Sequence, residues 1–600
     1  MSDSASPLPP ALLGVATSAN GRRWQARLDA DGERLAAALA QTEALPDALA
    51  RILAGRGVGM ADAGRYLEPR LRDWLPDPDM LRDMPLAADR LRAAIARREQ
   101  VAVFGDYDVD GACSAALLAG FLTRHGARPR IHIPDRLSEG YGPNGEAIRM
   151  LAAEGATLLV TVDCGTTSFE PLAEAKRLGL DVIVLDHHQA GEALPDVLAL
   201  VNPNRQDDLS GLGALCAAGI VFVTLVALAR ALRKAGQAVN GALLDELDLV
   251  ALATVADVVP LVGLNRAFVH QGLKVMARRG RLGLRALMDV AGLAEPPAPY
   301  HLGFLLGPRI NAGGRIGDAA LGSRLLLCED EAESTRIAAE LDRLNRERRA
   351  VEQAMLAAAE GEALAQAGLD DQGASALVVG AEDWHPGVVG LVAARLKERY
   401  RRPAFALAFA ADGTGVGSAR SITGVDIGRV VRGAVEAGLL VKGGGHAMAA
   451  GITVERARLP EFSAYLEREL VGPVALARAR QALAIDALLS AGGATPEFFK
   501  ALERAAPFGQ GNPEPVFALA GHRLENLATV GENHMRFRLV APDGAALGGI
   551  AFRVLGTPLG EALVAGRGEP RHAAVTLSRN RRGTSERIEA RLIDLATPTQ

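Results

Sequence analysis

The sequence predicts an α/β protein: a doubly wound parallel sheet domain, a linker helix, a second α/β domain and a small C-terminal β-barrel. Three observations predict this order. From Gln100 onward, short β-forming runs alternate with helical runs. Residues 329–367 are rich in Ala, Glu and Arg, as in one long helix. Beyond residue 505, short β-like runs are separated by turn residues, as in a small barrel.

Length and composition are typical of an ordinary globular chain. Its 600 residues exceed one hydrophobic core and predict roughly three or four domains. No apolar run approaches the about 20 residues that cross a membrane, and no signal pattern opens the chain, so we expect a cytoplasmic protein without a membrane partner. The net charge of −5 means that any binding to nucleic acid depends on local basic patches. Reduced, partly buried thiols are expected for the widely spaced cysteines, Cys113, Cys164, Cys216 and Cys328.

The segment before the sheet, residues 1–99, is expected to be a flexible leader over 1–20 followed by an Arg-rich helical region. The sheet domain is then predicted for residues 100–328. Its strands and helices are predicted at Val101–Phe104, Ala112–His125, Arg130–Pro134, Asn144–Glu154, Thr157–Val162, Glu170–Leu178 and Asp181–Leu185, with strands and helices in alternation.

Acidic residues follow three of these strands. In GDYDVDG, Asp106, Asp108 and Asp110 recur at a spacing of two, which on an extended chain places the three carboxylates on one side. Asp163 follows another strand, and the run Asp186–His188 a third. An acidic surface turn is the alternative at each place. Because parallel strands end at one edge of a sheet, however, we expect these side chains to converge there.

Massed carboxylates repel one another unless a cation neutralises them, so the convergence predicts a divalent metal site. Imidazole among the carboxylates favours Mn²⁺ or a similar ion over Ca²⁺. Asp257, in the run ADVVP after a predicted helix, could be only a helix-end residue. Together with the other acids it becomes a fourth candidate for the metal site.

These motifs resemble a known family. GDYDVDG, VDCG, DHH and ADVVP, in that order, are similar to the four motifs of the DHH phosphoesterase superfamily. EGYGPN (139–144) and GPRINAGGRIGD (307–318) resemble the bacterial RecJ family within it. So do WHPGVVG (384–390), GSARS (417–421), GGGHAMAAG (443–451) and PFGQGNPEPVF (507–517). The resemblance covers almost everything after residue 100, and it implies a single-strand-specific 5′-to-3′ DNA exonuclease of recombination and repair.

The resemblance also implies roles for individual residues. Two cations about 4 Å apart would be held at the site, Mn²⁺ with Mg²⁺ as the alternative. Asp163 would bridge them, and the terminal ligands would be Asp108, Asp110, His187 and Asp257. Asp106 would be a further ligand, at the end of the first motif that varies within the family. His188 would contact the phosphate or donate a proton, and Asp186 would orient a histidine.

A 5′-exonuclease must recognise a strand end, and guanidinium groups bind the extra charge of a 5′-phosphate. Four arginines in glycine-rich or strand-end motifs are candidates, although most arginines in such a chain form surface ion pairs: Arg136, Arg309, Arg315 and Arg420. Asn311, Ser418, Gly444, Gly445 and His446 are further candidates for contact with the substrate. The glycines beside His446 could instead form only a packing turn. A cleft between the two α/β domains would admit a single strand and exclude a duplex.

The segment 329–367 carries a narrow apolar stripe, as in a helix that bridges two domains. A coiled-coil dimer is the alternative, but Arg348 interrupts the stripe that such a dimer would bury. The second α/β domain, at 368–460, resembles the DHH-associated substrate-binding domain. Residues 461–600 are expected to be a helical return followed by an OB-like nucleic-acid-binding barrel. In this barrel Phe537 should point inward, while arginines contact the DNA backbone: Arg536, Arg538, Arg579, Arg581 and Arg582.

Two other functions stay open. A DHH phosphodiesterase for short oligoribonucleotides or cyclic dinucleotides would share the first two domains but would usually be much shorter. A non-catalytic single-strand binder of the same fold would lack metal ligands, whereas all four acidic motifs are present here. Single-strand-binding protein and a RecQ-type helicase are partners that only the resemblance implies.

Overall fold

A computed structural model describes residues 10–136, 138–368, 372–582 and 585–598. It divides into two compact units. Unit 1 takes in the segments Met1–Leu75, Pro260–His270 and Gln481–Gln600, and unit 2 takes in Pro76–Val259 and Gln271–Arg480.

The helices and strands follow in chain order. Before residue 100 they are β1 (Arg23–Ala26), α1 (Ala30–Thr42), α2 (Asp47–Gly55), α3 (Ala63–Leu67), α4 (Leu71–Trp74) and α5 (Met84–Arg97). Residues 100–328 contain β2 (Gln100–Gly105), α6 (Val109–Arg124), β3 (Arg128–His132), α7 (Gly145–Ala153), β4 (Leu158–Val162), α8 (Phe169–Arg177), β5 (Asp181–Leu185), β6 (Ala199–Val201), α9 (Ala217–Lys234), α10 (Leu247–Ala256), α11 (Gly263–Met276), α12 (Leu282–Val290), α13 (Pro299–His301), a π-helical turn (Leu302–Leu306), α14 (Gly307–Ile316) and α15 (Leu321–Leu327). Residues 331–480 contain α16 (Glu331–Ala367), β7 (Leu377–Ala381), α17 (Val389–Tyr400), β8 (Ala404–Phe409), β9 (Thr414–Arg420), α18 (Ile427–Glu436), β10 (Lys442–His446), β11 (Ala449–Glu455) and α19 (Leu459–Ala479). The remainder contains β12 (Ala482–Ile485), β13 (Ala487–Leu488), α20 (Pro496–Glu503), β14 (Phe517–Val530), β15 (His534–Val540), β16 (Ala546–Ala551), α21 (Pro558–Ala565), β17 (Pro570–Arg582) and β18 (Ser585–Ala596).

The predicted parallel sheet of unit 2 is confirmed. Its five strands have the order β3-β2-β4-β5-β6, and every neighbouring pair is parallel. The inner strands are almost continuously apolar, as suits a sheet covered on both faces. Because β2 lies between β3 and β4, successive connections leave it in opposite directions. Such a switch point opens a crevice at the carboxyl ends of the strands.

The linker helix is also confirmed as one helix, α16. Its stripe residues Ile337, Leu341 and Leu344 are buried within the same chain, so the coiled-coil alternative is not needed to cover them. Arg348, which interrupts the stripe, is paired with Glu352 at 2.6 Å. A buried ion pair thus replaces the missing apolar residue.

The second α/β domain has a mixed sheet of order β10-β11-β9-β8-β7, in which only β7 and β8 run parallel. Helix α19 packs Phe462, Leu466 and Leu470 into the core of this domain. The expected boundary at residue 461 is therefore wrong, and the helix belongs with the sheet before it. Periodicity could not assign the helix, because an apolar stripe does not say which core it meets.

The C-terminal barrel of unit 1 is confirmed. Strands β14, β15, β16, β18 and β17 pair in that order, and β14 also pairs with β17, which closes the barrel. Phe537 is buried while Arg536 and Arg538 are exposed, as predicted. Arg579 pairs with Glu503, and the side chains of Arg581 and Arg582 lie outside the described residues.

Residues 10–75 pack with the C-terminal barrel in one unit. Strand β1 pairs in parallel with β12, and helices α1 to α3 contribute to the same apolar core as the barrel. Ser18 donates a hydrogen bond to buried Asp594 at 2.6 Å. The expected flexible leader is therefore wrong for residues 10–20, and residues 1–9 lie outside the described chain.

Arg266 connects three segments of unit 1 and is fully buried. Its guanidinium donates to the carbonyls of Tyr66 at 3.1 Å and Ala505 at 2.9 Å, and lies 3.9 Å from the centre of the Tyr66 ring. Arg266→Met would remove the donor to the buried Tyr66 carbonyl and one of the two donors to Ala505, which also accepts from Asn512 at 3.0 Å. We therefore expect the unfolding free energy of unit 1 to fall by about 2 kcal/mol. Hydrogen exchange should accelerate in residues 485–598 but not in β2 to β5. The exposed variant Arg278→Met is the control, and unchanged exchange in the barrel would contradict the assignment.

No helix among the described residues combines the length and apolar character that a membrane crossing requires.

Candidate metal centre and phosphate site

The loop after β2 is shaped by its own acids. Helix α6 begins at Val109, three residues earlier than predicted, because Asp108 caps it: Oδ1 accepts hydrogen bonds from the amides of Asp110 and Gly111 at 2.9 and 3.1 Å. The three acids therefore do not alternate along one extended segment. A Cβ on Gly111 would lie only 2.3 Å from the carbonyl oxygen of Asp106, so the tight turn requires glycine.

Asp110 reaches the start of another helix. Its two oxygens accept hydrogen bonds from the amides of Ala217 at 2.6 Å and Ala218 at 2.8 Å, at the N-terminus of α9. Asn311 accepts a hydrogen bond from the amide of Val109 at 3.0 Å. The loop is thus held from both sides, with each acid in a defined position.

Asp163 follows β4 in a left-handed conformation, φ +62°, in which aspartate is better tolerated than most residues. Its amide donates to the carbonyl of Leu185 at 3.0 Å, which continues the sheet by one residue. His187 Nε2 lies 3.2 Å from Asp163 Oδ1, 3.7 Å from Asp257 Oδ2 and 3.8 Å from Asp110 Oδ2. The four sequence-distant motifs therefore meet at one edge of the sheet, as predicted.

Three overlapping groups could each hold a cation, since their ligand atoms lie within 4.8 Å of one another. Asp163 and His187 each belong to two of the groups, so both side chains lie between neighbouring candidate cation positions. The groups are Asp106, Asp108 and Asp163; Asp163, His187 and His188; and Asp110, His187 and Asp257.

The charges at this edge require neutralisation. Burial, and next to it the charges of the neighbouring carboxylates, raises the pKa of Asp163 and Asp106 well above the usual range and that of Asp257 to about 9. One buried oxygen of each of these three acids accepts no hydrogen bond from the described part of the chain. Buried carboxylate oxygens without donors, gathered beside an imidazole, fit a pair of divalent cations such as Mn²⁺ or Mg²⁺.

Asp186 and His188 form a hydrogen-bonded pair, with Nδ1 of the imidazole 2.8 Å from Asp186 Oδ1. Burial opposes the charge of both groups. The hydrogen bond and mutual attraction outweigh it, so the pKa of His188 is raised to about 9 and that of Asp186 is lowered. Asp186 also accepts from the amides of Thr166 and His187, at 3.0 and 2.8 Å. This arrangement supports the orienting role expected for Asp186.

Three residues that position the histidines were missed. Asn202 donates to the carbonyl of His188 at 2.8 Å, and Asn204 to that of His187 at 2.5 Å. The Tyr141 hydroxyl donates to the carbonyl of Asp163 at 3.2 Å. The asparagines directly follow β6, so the rule that identified the acids, polar residues after a parallel strand, could have found them.

Arg136, Arg315 and Arg420 form a second cluster within unit 2. Burial first, and then the charges of Arg136, Arg348 and Arg420, lower the pKa of Arg315 to about 10. Arg315 donates to the carbonyl of Gly387 at 3.0 Å, and Arg420 to Ser418 Oγ at 2.8 Å. No carboxylate within the described chain forms an ion pair with any of the three, and only the charge of Asp108 partly offsets the repulsion at Arg315. A dianionic phosphate would supply the missing negative charge.

The neighbouring sheet extends this cluster. Ser418 lies opposite Gly451, which lies opposite Gly444, and the next such row joins Arg420, Ala449 and His446. Gly444 and Gly451 have open space where a side chain would be. Ser418, Gly444 and His446 therefore lie on the same face of the sheet as Arg420.

Three of the candidate substrate contacts are engaged by, or face, other parts of the chain: Arg309, Asn311 and Gly445. Arg309 lies in helix α14 rather than a glycine-rich loop, and its Nε donates to Asp342 at 3.0 Å, so its charge is already compensated. Asn311 is occupied in holding the metal-site loop. Gly443 to Gly445 belong to edge strand β10 and do not form a tight turn. Gly445 faces away from Arg420, where its carbonyl would lie 2.6 Å from a Cβ on Gly428 of α18.

Comparison with known proteins finds the same three parts of the chain: the parallel-sheet domain, the mixed-sheet domain and the barrel. Family models match the N-terminal domain of the DHH family at residues 100–254, the DHHA1 domain at 373–472 and the RecJ OB domain at 485–594. The chain is 39% identical over 533 residues to the single-stranded-DNA-specific exonuclease RecJ of Dickeya dadantii, covering 85% of this chain and 90% of that protein. It is 38% identical to the Escherichia coli protein of that name, covering 85% and 89%.

Solved structures agree as well. The crystal structure of RecJ from Thermus thermophilus in complex with Mn²⁺ matches with a TM-score of 0.78 and 31% identity, over 96% of this chain and 79% of that one. The corresponding Mg²⁺ complex matches with a TM-score of 0.73 and 30% identity, over 96% and 78%. The chain belongs to the RecJ family of single-stranded-DNA-specific exonucleases.

Proposed function

We propose that this chain is a single-strand-specific 5′-to-3′ DNA exonuclease that hydrolyses phosphodiesters to mononucleotides with two Mn²⁺ or Mg²⁺ ions, in DNA recombination and repair. The observation that carries the proposal is a juxtaposition within unit 2. Among the described residues, carboxylates that each keep one buried oxygen without a hydrogen-bond donor lie at one edge of the sheet, and arginines without a carboxylate partner lie beside them. One cluster requires cations and the other an anion, as a phosphodiester with a terminal phosphate would satisfy.

The metal ligands would be Asp106, Asp108, Asp110, Asp163, His187 and Asp257. Bound divalent cations supply charge stabilisation at the phosphate and lower the pKa of water. The fold would hold these ligand side chains in fixed positions around the cations. The hydrogen bonds that Asp110 and Asp108 accept from backbone amides hold the first loop in place.

His188 would contact the substrate. Its Nδ1 lies 2.8 Å from Asp186, which raises the pKa of the imidazole, and a proton on Nε2 could be donated to a phosphate oxygen. Asp186 keeps the ring oriented and compensates its charge. Asn202 holds the backbone of the same histidine, so the donor is positioned before the substrate arrives.

Polarity would come from the arginine cluster. A 5′-phosphate carries more charge than an internal diester and can accept two hydrogen bonds from each guanidinium. Arg136, Arg315 and Arg420, with Ser418, Gly444 and His446 on the sheet face, would hold that end. A cleft between the two α/β domains would exclude a duplex. Arg536 and Arg538 on the barrel would contact the DNA backbone.

Digestion of 5′-labelled and 3′-labelled single strands with Mn²⁺, Mg²⁺ or EDTA tests this function. We expect mononucleotides to be released from the 5′ end with either ion and no product with EDTA. A preference for a dinucleotide over a long strand would instead support the short-oligonucleotide phosphodiesterase. Strand binding without cleavage under every condition would support the non-catalytic binder.

The expected setting is the cytoplasm. Single-strand-binding protein and a RecQ-type helicase would be the partners, because they expose and present the single strand that such an enzyme consumes.

A further inference from the structure

Tyr300 and Phe304 form an exposed aromatic pair in unit 2. Their side chains are stacked, with ring centroids 5.1 Å apart and an interplanar angle of 25°. Both residues are largely exposed, Tyr300 at 60% and Phe304 at 63%. Two large stacked rings left in solvent lose the burial that usually stabilises aromatic residues, so they require an explanation.

The pair lies on the face of the helix that carries Arg315. Segments α13, the π-helical turn and α14 follow one another without a break from Pro299 to Ile316. Tyr300, Phe304, Asn311 and Arg315 are separated by four, seven and four residues, which places them along one side of a helix. A π-helical turn interrupts regular hydrogen bonding just where Phe304 emerges, a feature frequent at functional sites.

The same helix runs beside the metal centre. Asn311 binds the amide of Val109 in the first acidic loop. A Cβ on Gly307 would lie 3.3 Å from Ala256, the residue before Asp257, and one on Gly303 would lie 3.5 Å from Val255. The arginine cluster is thus at one end of this helix, the metal loops are beside its middle, and the aromatic pair is at the other end.

We propose that Tyr300 and Phe304 are a stacking platform for bases on the 3′ side of the scissile bond, an inference that rests on the proposed exonuclease function. Stacking accepts any base and therefore suits an enzyme that removes nucleotides without regard to sequence. From Arg315 to Phe304 the helix rises about 16 Å. Because a stacked strand advances about 3.4 Å per nucleotide, this corresponds to about five nucleotides from the 5′-phosphate.

The strand is favoured over a second copy of the chain as the occupant because the aromatic face continues into Arg315. A protein surface covering these rings would also lie across the path to the arginine cluster. The platform would hold the strand while the terminal nucleotide is cleaved and released.

The first experiment places 2-aminopurine at each of the first eight positions of a 5′-phosphorylated strand, bound to the full chain carrying Asp163→Asn to prevent cleavage. Stacking quenches this fluorophore. We expect the strongest quenching by the protein at about the fifth nucleotide. The double variant Tyr300→Ala with Phe304→Ala should lose it and bind about tenfold more weakly. Tyr300→Phe with Phe304→Tyr, which keeps both rings, should retain it.

Phe304→Leu keeps apolar area without an aromatic face and should behave like alanine, whereas Leu86→Ala, at an exposed position on α5, should have no effect. In the otherwise unaltered enzyme, the alanine pair should slow digestion of a long strand but not of a dinucleotide, which is too short to reach the platform.

The outcomes separate the two proposals. Normal 5′-to-3′ cleavage with quenching that survives the alanine pair would overturn the platform alone. Loss of quenching in the ring-preserving variant, or a changed oligomeric state in the alanine pair, would likewise reject stacking in favour of a structural or protein-contact role. Absence of both cleavage and strand binding in the unaltered chain would overturn the exonuclease function and the platform with it.

Discussion

Asp163→Asn is expected to reduce Mn²⁺-dependent hydrolysis of a single strand by roughly a thousandfold, because the residue is common to two of the three cation-binding groups. Asparagine keeps the shape of the side chain and, like aspartate, tolerates the left-handed backbone at φ +62°. Strand binding should persist, since the arginine cluster is untouched. Single-turnover cleavage and fluorescence anisotropy measure the two properties separately.

Asp181→Asn is the matched control. Asp181 begins β5, at the opposite end of the sheet, where it accepts a hydrogen bond from Arg90 at 2.6 Å. This variant should cleave at the normal rate. Cleavage by Asp163→Asn within about tenfold of the normal rate would reject the metal assignment. Alanine at position 163 would be less informative, because it adds backbone strain of about 1 kcal/mol or more.

Arg315→Gln should abolish the preference for a 5′-phosphorylated strand over a 5′-hydroxyl strand. Arg315 lacks a carboxylate partner within the described chain and is surrounded by other arginines, so a dianion would relieve an unfavourable arrangement. Loss of charge-assisted hydrogen bonds to the phosphate should lower kcat/KM for the phosphorylated end by about a hundredfold. Cleavage of the hydroxyl end should change little. Competition between the two substrates measures the ratio directly.

Arg309→Gln provides the comparison, since the two arginines lie on the same helix but only Arg309 has a carboxylate partner among the residues that the structure describes. It should lower thermal stability by breaking the pair with Asp342 and leave the phosphate preference intact. If Arg309→Gln removed the preference and Arg315→Gln did not, the assignment of the end-binding arginine would be wrong.

The sequence predicted that the acids after the parallel strands meet at one edge of the sheet, and they do. The further expectation, that Asp106, Asp108 and Asp110 alternate along an extended segment, is wrong. Asp108 and Asp110 are not on an extended segment, because Asp108 caps helix α6, which begins at Val109. They nevertheless reach the site, since the loop is too short to carry them away from the end of β2. The asparagines after β6 follow the same rule and were overlooked.

The arginines were harder to predict. Arg309 and Arg315 stand in one motif and are chemically identical, yet one meets Asp342 and the other meets Arg136 and Arg420. The partner of each side chain depends on which face of helix α14 carries it and on which element packs against that face. Spacing alone did not even identify this motif as a helix, because its glycines and proline are typical of a loop.

The sequence by itself determined the alternation of strands and helices, the acids that follow the strands, and the barrel that ends the chain. These features depend on local periodicity and on the rule that parallel strands end together. Only the tertiary structure decided that residues 10–75 pack with the barrel, that α19 belongs to the second sheet, and that Arg315 rather than Arg309 lacks a carboxylate partner within the described chain. Such outcomes depend on contacts between residues far apart in the chain, whose energies no local pattern records.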